Sequence, residues 1–178
     1  MRNNKILNIG LIIGTLLLII FSSGCTSSSM TKKFNDGAMS FSYPNDFQEI
    51  SSHENKSSNT RWQYIIKLVN NNPLNIQVIL VDKNTSNTSP SESRDYGVLK
   101  VKNLSTSEIL SISTEINPNG VVVEKSTYKQ KGLFGSLAIY NDMFFKIDDV
   151  VYAVSIYGPD SNKQQINNTA NIVFKSIK

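Results

Sequence analysis

The sequence predicts an α+β domain, an antiparallel β-sheet flanked by helices, carried behind an N-terminal export segment. Three observations lead there. Apolar and polar residues alternate with period 2 through much of the chain after Ala38, the pattern of half-buried strands. Three stretches instead put apolar residues at helical spacing behind serine caps. Short Asn, Asp, Gly and Pro turns join the strands, which suits antiparallel neighbours rather than the long crossovers of a parallel sheet.

The export segment comes first. Arg2 and Lys5 precede Ile6 to Phe21, an apolar run broken only by Asn8, Gly10, Gly14 and Thr15. Small residues Ser22, Ser23 and Gly24 lead into Cys25, the chain's 1 cysteine. A charged start, an apolar middle and a small-residue cleavage site make a secretory signal. The run is shorter than the ~20 residues that a spanning helix needs. Ser23-Gly24-Cys25 also resembles the lipobox of prokaryotic lipoproteins, where the cysteine becomes the first mature residue and carries lipid; Ser22 stands where that pattern prefers leucine. Residues 1–24 therefore read as a lipoprotein signal peptide, 25–33 as a Ser/Thr-rich tether and 34–178 as the domain. Lipid on Cys25 makes the membrane a partner and the outer, extracytoplasmic face of the cell membrane the expected location.

Within the domain, Met39, Phe41 and Tyr43 alternate with serines up to Pro44, and a short strand over Phe47 to Ile50 follows the turn at Asn45-Asp46. Trp62, Tyr64, Ile66 and Leu68 form one alternating set and Leu74, Ile76, Val78 and Leu80 another. Asn70 to Pro73 lies between them, so the pair reads as a hairpin with one buried face. Ser89-Pro90-Ser91-Glu92 is a capping box with proline at the first helical position, and it predicts a helix over Pro90 to Lys102. Ser105 and Glu108 repeat the spacing ahead of Ile109, Ile112 and Ile116, which predicts a second helix closed by Asn117-Pro118-Asn119-Gly120. Strands follow over Val121 to Gln130, Leu133 to Lys146 and Val150 to Tyr157, with turns at Gly132 and Asp148-Asp149. Ser161 and Gln164 cap a last helix, whose stripe is Ile166, Ala170, Val173, Phe174 and Ile177.

Three stretches resemble the PsbP family, named for the extrinsic subunit of photosystem II, and in particular its prokaryotic lipoprotein members. They are Asp36-Gly37-Ala38-Met39-Ser40-Phe41-Ser42-Tyr43-Pro44 with Phe47 after it, Gly132-Leu133-Phe134-Gly135 running into Leu137-Ala138-Ile139-Tyr140, and Ile172-Val173-Phe174-Lys175-Ser176-Ile177-Lys178. Phe47 stands where family members usually have tryptophan. The resemblance spans about Phe34 to Lys178 and implies a PsbP-like α/β/α sandwich. It also implies an extracytoplasmic accessory or assembly module rather than a catalyst. The plant protein aids a manganese–calcium cluster, but none of its binding residues can be matched here, and none is carried over.

Composition narrows the function classes. Removing Arg2 and Lys5 from the 18 Lys and Arg leaves 16 against 14 Asp and Glu, a net of +2 without basic clusters, so nucleic acid is not an expected partner. One cysteine allows no internal disulfide, and with 1 histidine, His53 in a polar run, common zinc sites are out of reach. No calcium loop or phosphate loop is present, so neither metal nor cofactor is expected. Asn55, Asn84 and Asn87 sit in N-x-[ST] triplets within polar segments and are the N-glycosylation candidates; Asn103 and Asn167 also fit the triplet. Together these features predict a membrane-anchored, non-catalytic binding or assembly domain with an envelope protein as partner. The alternatives are an envelope-polymer hydrolase using two of Asp142, Asp148, Asp149 and Asp160, and a purely structural envelope protein.

Overall fold

The computed structural model describes residues 30–50, 62–70, 76–84, 86–131 and 136–178. The described elements run β1 (Thr31–Asn35), β2 (Ser40–Pro44), β3 (Phe47–Ile50), β4 (Trp62–Asn70), β5 (Gln77–Asn84), α1 (Pro90–Lys102), β6 (Ser107–Ile116), β7 (Val122–Lys131), β8 (Leu137–Ile147), β9 (Val150–Pro159) and α2 (Lys163–Ser176). Strands β3 to β9 make one sheet in the order β3-β4-β5-β9-β8-β7-β6, with every neighbouring pair antiparallel. β1 and β2 form a separate hairpin. Helices flank the sheet, as the sequence predicts, and α1 carries the chain from β5 across to the far edge at β6.

One face of the sheet holds the core. Ile66, Leu68, Ile79, Val81, Val123, Ile139, Met143, Phe145, Val154 and Ile156 are buried there under Met39, Phe41 and the α2 stripe Ile166, Ala170, Val173 and Phe174. Burying each large side chain stabilises the fold by roughly 1.5–3 kcal/mol. The end of α2 is fixed by polar ties. Ser40 and Lys178 exchange backbone hydrogen bonds of 2.9 and 3.0 Å, and the Ser42 N–H donates to Ser176 Oγ at 2.8 Å. Asn117 is buried at the β6–β7 turn; its Nδ2 donates to the Phe174 and Ile177 carbonyls at 3.0 and 2.7 Å. Its Oδ1 accepts the Asn119 and Val121 N–H groups at 3.0 and 2.9 Å. One side chain thus closes a hairpin and clamps a helix terminus.

Helix α1 has the predicted capping box, with Ser89 Oγ accepting from Glu92 N at 3.2 Å and Glu92 Oε2 accepting from Ser89 N at 2.7 Å. Tyr96 and Leu99 lie on its outer face, and Val98 and Val101 are the buried pair. The predicted second helix is the strand β6 instead. Isoleucine, serine and threonine favour a pleated chain over a helix, and β6 is an edge strand with a bulge at Leu110, so no clean alternation betrays it. A bulge at Ile65 also splits the expected Trp62-to-Leu68 face. Trp62 and Tyr64 point away from the core, whereas Ile66 and Leu68 point into it. On β5 the core takes Ile79 and Val81, the opposite phase from Val78 and Leu80. Thr31 to Lys33, expected in the tether, belong to β1. Ser161 does not cap α2, because a 3-10 turn over Asp160–Asn162 precedes that helix. The motif at Gly132 to Gly135, the export segment and Leu74 lie outside the described residues. Among the described residues no helix is long and apolar enough to cross a membrane.

Candidate functional site

The described elements cover the second face of the sheet only in part. Helix α1 packs across β6, β7 and β8. Arg94 pairs with Glu124, and a methyl group at Gly97 would meet Phe144 at 3.8 Å. Phe144 in turn meets Trp62 edge-on, with ring centroids 6.3 Å apart. Towards the strand ends beyond this contact the register lines up three tyrosines. Tyr128 faces Tyr140 across β7–β8, and Tyr140 faces Tyr157 across β8–β9. Their rings stack at 4.9 Å with planes 4° apart and at 5.0 Å with planes 20° apart. Stacking uses up most ring faces, so edges and hydroxyls are what the ladder offers a partner. Burial raises the hydroxyl pKa of all three, and the Asp142 charge adds to this at Tyr128 and Tyr140. They therefore stay protonated at neutral pH and act as hydrogen-bond donors, not as nucleophiles. Tyr64, 36% exposed, is near enough to Tyr157 to influence its hydroxyl and extends the aromatic strip.

The next rung is polar. Ser126, Asp142 and Ser155 face one another across the same three strands. Burial pushes the Asp142 carboxyl up to about 6, although the Ser155 and Tyr128 hydroxyls donate to it. Its Oδ1 is buried without a hydrogen-bond partner among the described residues. Asp82 on β5 lies on the same face, and burial raises it to about 6 as well. By register it sits two strands and two residues from Asp142, roughly 12 Å at standard sheet spacings.

A polar groove of about 360 Å³ opens on the core side, where α2 leaves the β6–β7 edge uncovered. Glu115 and Lys125 form an ion pair across it at 2.9 Å. A chain of hydrogen bonds crosses its floor, from Thr127 to Asn141 at 3.0 Å and from Asn141 to Asn167 at 3.2 Å. These groups satisfy one another, which leaves the tyrosine face as the better-defined feature.

The carboxylates singled out from the sequence are not brought together. Asp142 is mid-strand, and Asp148 and Asp149 form the β8–β9 turn six and seven residues on, roughly 20 Å away. Asp148 takes φ 50°, which aspartate tolerates in turns. Asp160 pairs with Lys129 at 2.8 Å on the core side of the sheet. A hydrolytic pair needs carboxyls about 5–10 Å apart across a cleft, whereas Asp148 and Asp149 are chain neighbours exposed on a turn and Asp142 and Asp160 lie on opposite faces of the sheet. Among the described residues no three or more His, Cys, Asp or Glu side chains converge as metal ligands.

Of the modification candidates, Cys25 and Asn55 lie outside the described residues, as does His53. Asn84 is 2% exposed, its Nδ2 donating to Thr88 Oγ1 at 3.3 Å and its Oδ1 accepting from Ser86 N at 2.8 Å. Expected as a loop acceptor, it is instead the buried last residue of β5, with no space on Nδ2 for a sugar in the folded chain. Asn87 is exposed ahead of α1.

No family model matches the chain, and no curated protein matches it in sequence. Solved structures do. LpqN of Mycobacterium tuberculosis, described as involved in cell envelope biogenesis, aligns over 84% of this chain and 90% of its own, at 13% identity and a TM-score of 0.58. Cyanobacterial PsbP from Synechocystis sp. PCC 6803 aligns over 87% of this chain and 95% of its own, at 9% identity and a TM-score of 0.56. The fold is PsbP-like.

Proposed function

We propose that the protein is an extracytoplasmic lipoprotein, held to the outer face of the cell membrane by lipid on Cys25. Its domain is a non-catalytic binding or assembly module that docks an envelope protein on the tyrosine face. The observation that carries the docking part is the Tyr128–Tyr140–Tyr157 ladder on a face that α1 covers only in part. Aromatic residues with one apolar and one hydrogen-bonding edge are enriched in protein interfaces for this reason. The envelope role of LpqN and the accessory role implied by the PsbP resemblance support the same reading, as does the export segment ahead of Cys25. Exposed Asn87 is the acceptor we propose if the chain is glycosylated.

Affinity capture from detergent-solubilised membranes tests it, with Tyr157→Ser on the face and Tyr96→Ser on the outer side of α1. The reading expects one recurrent partner with the wild type and Tyr96→Ser, and its loss with Tyr157→Ser in a folded protein. Recovery of the wild type alone, or equal capture by both variants, contradicts it.

A further inference from the structure

The sheet register gathers one end of the molecule from distant segments. Asn45 N–H donates to the Met30 carbonyl at 3.0 Å beside the start of β3. Phe47 faces Asn70, which faces Gln77, so Ile76 belongs to this end. Leu137 faces Lys131, whose N–H donates to the Thr106 carbonyl at 3.0 Å, just after Leu104. Met30, Ile76, Leu104 and Leu137 are 76%, 49%, 43% and 42% exposed. Lys131 and Lys163 are exposed at the same end, and Lys102 is exposed just before Leu104. Of the carboxylates there, Asp160 pairs with Lys129, while Asp46, which accepts from the neutral Asn70 amide at 2.8 Å, and Glu108 are exposed, against the three exposed lysines. The opposite end carries Asp148 and Asp149 at the β8–β9 turn, Asp149 paired with Lys146 at 3.2 Å, with Asp36 and Glu92 near it.

The described chain also begins at this end. Five residue steps separate Cys25 from Met30, a reach of at most roughly 18 Å. An anchored domain on so short a leash must turn this end toward the bilayer.

We infer that this end lies on an anionic lipid surface, with Met30, Ile76, Leu104 and Leu137 at the headgroup–acyl boundary and Lys102, Lys131 and Lys163 over the headgroups. The inference rests on Cys25 being the anchor. Scattered apolar side chains flanked by lysines suit that boundary, where burial and attraction to anionic headgroups act together. The strands then stand away from the membrane. The tyrosine ladder, three residues in from Leu137 and Lys131, is roughly 10 Å from the surface. A partner docking on the ladder is thereby required to be membrane-bound itself or to reach the bilayer.

The full chain purified from membranes is reconstituted into vesicles of neutral lipid and of neutral lipid with phosphatidylglycerol. Ile76→Cys, Leu137→Cys and, at the far end, Ile116→Cys each carry an environment-sensitive fluorophore, and intact mass reports lipid on Cys25. The expected result is a blue shift and quenching by acyl-chain nitroxide lipids at 76 and 137, stronger with phosphatidylglycerol, with 116 unchanged. Combined Lys102→Gln, Lys131→Gln and Lys163→Gln should abolish the preference for anionic lipid. Labels at 76 and 137 that stay in water while Cys25 carries lipid overturn the orientation alone, as does insertion of 116. An unlipidated Cys25 overturns the anchoring and this inference together.

Discussion

Replacing Asp142 with asparagine tests the electrostatics of the tyrosine face most sharply. Its carboxyl is pushed from 3.8 to about 6 by burial, the Ser155 and Tyr128 hydroxyls only partly offsetting this. The folded state therefore holds a proton between pH 4 and 6 that the unfolded chain has lost. Stability falls as pH rises through that window and is level above it. At 1.36 kcal/mol per unit of pKa, the fully ionised carboxylate costs the folded protein about 3 kcal/mol at pH 7.5. Asparagine removes that charge but puts an amide beside the unpartnered Oδ1 position, a cost of about 1 kcal/mol or more. The net expectation is a gain of about 1–2 kcal/mol at pH 7.5 and a slight loss at pH 4. The difference between the two pH values, about 2 kcal/mol, does not depend on the amide term. Urea unfolding of both proteins at the two pH values measures it. A difference in stability between variant and wild type that is the same at pH 4 and 7.5 refutes the reasoning.

Three further outcomes follow from particular contacts. Asn117→Ala strands the Phe174 carbonyl and two N–H groups and leaves the Ile177 carbonyl to Asn119 alone, so it should cost about 2–4 kcal/mol in urea unfolding and raise hydrogen exchange at the end of α2; a loss below about 1 kcal/mol contradicts the clamp. Gly158→Ala drives a methyl group to 2.6 Å from the Ile76 carbonyl and 3.1 Å from Ile166 Cδ1, and should cost about 1–3 kcal/mol. An unchanged unfolding midpoint there means the β5–β9–α2 packing is looser than described. Ser89→Ala, which removes the α1 cap, should lower stability by about 1 kcal/mol while Ser91→Ala changes little; equal effects argue against the capping box.

The architecture was legible where pattern and turn chemistry agreed. Ser89-Pro90-Ser91-Glu92 located α1, and the Asp148-Asp149 turn fixed β8 against β9. β6 was misread because its isoleucines fall at i, i+3 and i+7 while its strand alternation is broken by the Leu110 bulge and by edge exposure. A bulge is a one-residue change of phase, and composition alone does not reveal it, which is also why Trp62 and Tyr64 were given to the core. The tyrosine ladder could have been found. Tyr140 lies eight residues before Asp148 and Tyr157 eight after Asp149, so that turn alone sets them opposite each other. The burial of Asp142 and Asp82 was not readable, since it depends on how α1 and the neighbouring strands pack over one face of the sheet.

The proposed membrane anchor depends on Cys25. Intact-mass and peptide analysis of the protein extracted from its native membrane tests it most directly. The expected native chain begins at Cys25 with lipid mass on its N-terminal peptide, and a Cys25→Ser variant lacks the lipid-modified form. A native protein that retains Met1 to Gly24, or whose Cys25 carries no lipid, contradicts it.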